Sequence, residues 1–373
     1  MIKKNADKFL LVILFFVTAF TFGQTEHKTL EIGSKAPDFN LQGIDGKYYS
    51  LNSFSNAKIL VIIFTANHCP TAQAYEDRII KLTNDYKNKG VDVVCISSNN
   101  PQALRLDEMG YTDLGDTKEE MKIRAKDKGF NFPYLYDGDT QETAGKYGPQ
   151  ATPHVFIFDK NRILRYTGRI DDSEKIQKVT VHDARNAINA LLEGKEVPVR
   201  KTKTFGCSLK WAYKKESAKE AIEKWNKEKV ELQTINLDEV KDLLKNNTDN
   251  LRLVNIWATW CGPCAAEFPD LIEINRMYRN REFEMITLST DDISIKDKVL
   301  KFLEKKYAST KNYQYNSDDK YKLIDAVDKD WPGALPYTLL VKPGGEIIYK
   351  KEGMIDKLEL KKAIVGYLGR YYK

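Results

Sequence analysis

The chain has 373 residues, of which 42% are hydrophobic and 30% charged, and 59 Lys+Arg against 53 Asp+Glu give a formal net charge of +6. At about 150 residues per domain this length calls for two or three packed cores, and the composition excludes both a mainly disordered chain and a multi-span membrane protein. The charge is too mild to point to nucleic acid, and five cysteines are too few for a disulfide scaffold, so their placement carries the information.

Lys3, Lys4 and Lys8 precede an apolar run from Phe9 to Phe22. That run has the length of a signal-peptide core and falls short of a membrane span. Residues 1–23 are therefore expected to be a signal peptide cleaved near Gly23–Thr25, and the chain to be exported to an oxidising, periplasm-like compartment. An uncleaved N-terminal anchor is the alternative. No cysteine follows closely, so no lipid anchor is expected.

Two stretches then share one order of elements. In the first, residues 58–64 form a continuous apolar run, the pattern of a buried parallel strand. A helix follows from Thr71 to about Lys87, then strands at Val91–Ser97, His154–Phe158 and Ile163–Gly168, and a helix at Val181–Leu192. The second repeats this with a strand at Leu251–Trp257, a helix at Ala265–Arg279, strands at Glu284–Ser289, Tyr337–Val341 and Glu346–Lys350, and a helix at Lys357–Tyr371. Strands alternating with helices over so long a period mean duplicated α/β domains. The domains are placed at 30–198 and 232–373. The charged connector at 199–231 holds an amphipathic helix over Ala212–Lys229, with Ala218, Ile222 and Trp225 on one face.

The informative motif is Trp260-Cys261-Gly262-Pro263-Cys264, directly after a buried strand and at the start of a helix. A helix N-terminus favours a thiolate, and a second cysteine one turn on is close enough to close a disulfide. Cys261 is read as the attacking thiol and Cys264 as the one that releases the mixed disulfide. A zinc half-site is the competing reading. It needs a second ligand pair, and all four histidines (His27, His68, His154 and His182) lie in the first half.

This half resembles the thioredoxin superfamily, most closely the TlpA/ResA-like exported thiol–disulfide oxidoreductases. The residues that carry the resemblance are Val254–Cys264, Glu267-Phe268-Pro269 and Leu335-Pro336. It implies that Pro336 is cis and that Pro269 kinks the active-site helix. It also implies that Trp260, Leu335 and Pro336 bind the substrate chain, with Leu335 offering backbone hydrogen bonds. Asn255 stands where thioredoxin has a buried Asp. Glu267, one turn after Cys264, is then the expected proton acceptor.

The first half resembles a peroxiredoxin-like branch of the same superfamily, of the AhpC/TSA class. The match lies in Gly33–Phe39, Thr65–Pro70, Phe132–Asp137, Thr152-Pro153 and Gly206–Trp211. Relatives often read Cys-Asn-His-Cys-Pro, and here the first of these cysteines is Ala66. On that alignment the attacking thiol is missing and Leu60 replaces the buried acid, so the domain is expected to be degenerate. His68, Cys69 and Pro153 form its candidate secondary site. Three readings compete: a non-catalytic client-binding unit, a peroxide-reducing relay through Cys69, or a soft-metal site of Cys69, His68 and His154. Cys95 is expected to be a buried small hydrophobe, and pairing of Cys207 with Cys69 is left open by the sequence.

The fold class expected is α/β, as two tandem thioredoxin-fold domains. The function expected from the resemblance is reduction of protein disulfides by the Cys261/Cys264 pair, with no cofactor and no metal. The partners would be disulfide-bearing protein clients and a membrane thiol-electron donor, with no nucleic acid.

Overall fold

The computed structural model describes residues 27–372, so the signal-peptide reading of residues 1–23 lies outside the described residues. The first domain runs β1 (Leu41–Gly43), β2 (Tyr48–Tyr49), β3 (Ile59–Thr65), α1 (Pro70–Tyr86), β4 (Val91–Ser97), α2 (Lys118–Lys128), β5 (Tyr134–Tyr136), α3 (Glu142–Tyr147), β6 (His154–Phe158), β7 (Leu164–Gly168) and α4 (Asp183–Leu192). After the connector helix α5 (Lys215–Asn226), the second domain runs β8 (Gln233–Ile235), α6 (Leu237–Lys245), β9 (Leu251–Trp257), α7 (Gly262–Tyr278), β10 (Phe283–Ser289), α8 (Lys296–Lys305), β11 (Lys311–Tyr315), α9 (Lys320–Val327), β12 (Tyr337–Val341), β13 (Ile347–Glu352) and α10 (Lys357–Leu368).

The two sheets have strand orders β2-β1-β5-β4-β3-β6-β7 and β13-β12-β9-β10-β11-β8. In each, a parallel core around β3 or β9 is extended by an antiparallel hairpin, β6-β7 or β12-β13. Every residue of β3 and β9 is buried, as expected of strands covered on both faces; β3 is apolar up to Thr65, whereas β9 also buries Arg252 and Asn255. Apolar clusters fill both faces of both sheets. These are two tandem thioredoxin-fold domains.

The repeat is in register. β9, α7 and β10 each start 192 residues after β3, α1 and β4 (251−59, 262−70, 283−91). Residues can therefore be compared one for one across the strand, the active-site turn and the helix that follows.

The domains share an interface. Met109 lies in the second domain's core cluster, with Leu104 and Leu106 packed against it. Tyr278 at the end of α7 donates to the Thr112 carbonyl at 2.8 Å, and Arg281 donates to the Gly110 carbonyl at 2.6 Å while stacking on Tyr111. Several element bounds shift by two or three residues from expectation, and two of these differences bear on how the domains meet. The last helix ends at Leu368 because Gly369 turns the chain with φ 84°, and residues 370–372 cross to the first domain, where Arg370 pairs with Asp113 at 2.6 Å. The connector helix is shorter than expected, and residues 201–211 run along the first domain. There Lys201 bridges to Thr167, Cys207 bridges to Thr152, and Leu209 enters the core.

Candidate active site

β9 ends at Trp257, and a short turn delivers Cys261 to the N-cap of α7. The turn is fixed from below by Asp291, whose carboxylate accepts from the Thr259 N–H and hydroxyl, both at 2.8 Å. Cys261 and Cys264 are joined by a disulfide with Cα atoms 5.3 Å apart. The Cys261 sulfur accepts from the Cys264 N–H at 3.2 Å, one of the free amides of the first helical turn. Cys261 is 5% exposed and Cys264 is fully buried, so the outer sulfur is the accessible one. Beside it the Trp260 side chain stands 72% exposed.

α7 continues through Pro269. Proline lacks the N–H that would reach the Ala265 carbonyl, and the Lys306 ammonium occupies that acceptor instead, at 2.7 Å. Glu267 lies one turn beyond Cys264, on the same face of the helix. It is fully buried; one oxygen accepts from the Asn255 amide at 2.8 Å and the other from the Ile355 N–H at 2.9 Å. Burial pushes its carboxyl above the usual range, and these two hydrogen bonds only partly offset that. Asn255 also donates to the Thr338 hydroxyl at 3.0 Å, while its own carbonyl oxygen has no partner among the described residues. Thr338 and Ile355 were not read from the sequence. They arrive from a strand and a loop 83 and 88 residues from the groups they contact, and no local motif marks them.

The Leu335–Pro336 bond is cis. The loop is held by Trp331, which stacks on Tyr337 with ring centroids 4.9 Å apart and donates to the Ala334 carbonyl at 2.8 Å. Among the described residues the backbone N–H and C=O of Leu335 have no hydrogen-bond partner, which leaves them free for an incoming strand.

A family model described as Redoxin matches residues 31–188 and 226–364, one segment in each half. The chain belongs to the Redoxin family. Among curated proteins, the thiol-disulfide oxidoreductase ResA of Oceanobacillus iheyensis is 30% identical over 118 residues, covering 31% of this chain and 54% of that protein. ResA of Bacillus thuringiensis is 28% identical over 165 residues, covering 43% of this chain and 85% of that protein. Among solved structures, a hypothetical protein of Sinorhizobium meliloti is 33% identical, with a TM-score of 0.45, over 50% of this chain and 97% of the other.

In this Redoxin chain the register of the repeat corrects one reading of the first half. Cys69, not residue 66, stands at the position of Cys261: it is the N-cap of α1, and its sulfur accepts from the Ala72 N–H at 3.3 Å, as Cys261 does from Cys264. The missing partner is therefore the second cysteine of the motif, whose place is Ala72. The position of Asn255 is taken by Ile63 rather than Leu60, that of Thr338 by Val155, and that of Glu267 by Tyr75. An apolar pair thus replaces the buried polar group behind the disulfide.

His68 is buried and ion-paired with Asp116, Nδ1 to Oδ2 at 2.5 Å. Asp116 also accepts from the Asn67 N–H at 2.7 Å and the Asn99 amide at 2.8 Å, doing for this turn what Asp291 does for the other. Burial works against both charges, but each outweighs it for the other: the imidazole is held above and the carboxyl below its ordinary value. His154 does not join this group. Its Nδ1 accepts from the Gln150 N–H and its Nε2 meets the Thr167 hydroxyl at 3.0 Å, and burial pushes it down to about 3. The three-residue soft-metal reading therefore loses a ligand. Cys95 is buried in β4 against Ile63.

Proposed function

We propose that the chain is an exported thiol–disulfide oxidoreductase that reduces protein disulfides through Cys261 and Cys264. The observation that carries this is the Cys261–Cys264 pair at a helix N-terminus, with the Cys261 side the less buried of the two, beside a loop edge at Leu335 whose backbone groups have no partner among the described residues. The names of the ResA relatives point the same way. The first of these is matched over only about half its length, so the activity is taken from the site.

A client strand pairs with Leu335 and packs against Trp260 and Pro336. The Cys261 thiolate attacks one client sulfur, a mixed disulfide forms, and the other client sulfur leaves as a thiolate and takes up a proton. Cys264 gives its proton to Glu267 and attacks Cys261, releasing the second client thiol. Two electrons pass to the client, and the redox group is the cysteine pair alone, with no metal or organic cofactor. Export follows from the apolar N-terminal run, and in that compartment the pair is re-reduced by a membrane-held thiol donor.

In the test, the C264S variant should accumulate a stable mixed disulfide with a disulfide-bearing client such as insulin, and C261S should neither trap nor reduce it. Undiminished insulin reduction by C261S would overturn the proposal.

A further inference from the structure

The first domain lacks a cysteine at position 72, yet Cys69 is not alone. Residues 206–208 lie along the segment that precedes the cis Thr152–Pro153 bond. Thr152 and Cys207 form an antiparallel bridge, with the Thr152 N–H donating to the Cys207 carbonyl at 2.9 Å. This is the edge that stands unpaired at Leu335 in the second domain. The approach is close: Gly206 has φ 136°, and a Cβ there would sit 2.1 Å from the Thr152 carbonyl oxygen, so only glycine fits. The pairing carries Cys207 onto the helix N-terminus. Its side chain packs against Ala66, Cys69 and Ala72. The Cys69 sulfur lies 3.2 Å from the Thr152 carbonyl and 3.3 Å from the Ala72 N–H. The chain has thus laid its own cysteine where a substrate cysteine would lie.

From this juxtaposition we infer that Cys69 and Cys207 form a second thiol–disulfide couple, with Cys207 as the sulfur through which electrons enter. Access sets the order. Cys69 is fully buried, whereas Cys207 is partly exposed. In the oxidised couple an incoming thiolate therefore attacks the Cys207 sulfur, the Cys69–Cys207 bond breaks, and Cys69 departs as a thiolate. The helix N-terminus suits Cys69 to that role. Burial pushes the Cys69 thiol up, but the neighbouring Cys207 thiol and the His68 charge outweigh it and bring it down. The donor's second thiol then attacks the mixed disulfide and releases Cys207, which takes up a proton. One dithiol has become a disulfide and two electrons have entered the couple. The donor class is a small or loop-borne dithiol, because residues 206–208 already fill the edge an extended strand would need. This order is the reverse of the second domain's, where the N-cap cysteine is the outer one.

The test uses the full chain with Cys261 and Cys264 both changed to Ser, so that the couple is read apart from client reduction by the first pair. The protein is equilibrated in glutathione buffers of varied redox ratio, quenched in acid, alkylated and mapped by mass spectrometry. A peptide cross-linked between Cys69 and Cys207 should form and disappear reversibly with the ratio. On the same background, C69S should carry glutathione on Cys207, and C207S should leave Cys69 unmodified while its thermal melt shows a folded chain. Two results would overturn the inference: no 69–207 cross-link at any ratio, or glutathione on Cys69 of folded C207S.

Discussion

Changing Glu267 to Gln separates the chemistry of the buried carboxylate from its structural role. The side chain keeps its volume, and one oxygen still accepts from the Ile355 N–H, now 2.9 Å away. The Asn255 amide can turn to present its unpartnered oxygen to the new NH2 group. The fold is therefore expected to hold. Because burial raises the folded-state carboxyl above its unfolded value, ionisation is what folding disfavours. Well below the ordinary carboxylate range both states are protonated and the effect vanishes. As pH rises through the unfolded value towards the folded one, the wild type loses stability that the Gln variant keeps, about 1.4 kcal/mol for an elevation of one pH unit. E267Q should thus be at least as stable as wild type at neutral pH and gain nothing in acid. Catalysis should move the other way. A positioned proton acceptor contributes about 10²–10⁴-fold, so Cys264 should resolve the Cys261 mixed disulfide at least about 100-fold more slowly near neutral pH. Rapid-quench measurement of mixed-disulfide decay across pH, with urea unfolding at acid and neutral pH, reads both effects. An unchanged pH–rate profile, or an E267Q variant less stable than wild type at neutral pH, would refute the reasoning.

Two further substitutions probe the first domain. D116N should keep an acceptor for the Asn67 N–H but lose the charge that holds the His68 imidazole above its ordinary value. It should cost about 3 kcal/mol as a broken buried pair, and thiolate absorbance should show Cys69 titrating at higher pH than in wild type. R370A leaves the buried Asp113 carboxylate unpaired at the domain interface. Arg370 is partly exposed, so the expected loss is about 1–2 kcal/mol, less than for a fully buried pair. It should appear as a lower melting point and faster proteolysis between the domains. Burial alone would raise the Asp113 carboxyl, but Arg370 holds it below its ordinary value. This contribution is therefore present at neutral pH and should fade as pH falls through that depressed value, so the gap between R370A and wild type should narrow in acid.

The duplicated order of strands and helices could be read from the chain because β3, β9, β6 and β12 are predominantly apolar stretches of strand length between clear turns. The bounds of β4, β6, β9 and β12 agree with the sequence reading to the residue. Short or edge strands such as β1, β2 and β8 carry too few residues for a periodic signal. Cys261, Cys264 and Glu267 share one helix and one motif, so local spacing placed them together. The first domain's site did not yield to the same logic. A family spelling drew the comparison to residue 66, whereas the helix N-cap, which fixes where a thiolate is favoured, falls on Cys69. The contact of Cys69 with Cys207 depends on a bridge between residues 55 apart in sequence, beyond the reach of any local pattern.

With residues 206–208 lying along Thr152, of the two loops before Pro153 and Pro336 only the one at Leu335 leaves its edge unpaired among the described residues. The fold occurs twice, yet under the proposed function the chain would be monovalent towards extended peptides. Two cysteine-bearing stretches of one client cannot be held by one chain at the same time, so tethering the domains confers no avidity. If the chain reduces client disulfides as proposed, a client with several of them would be served by successive encounters, and its turnover should rise in simple proportion to the concentration of the chain.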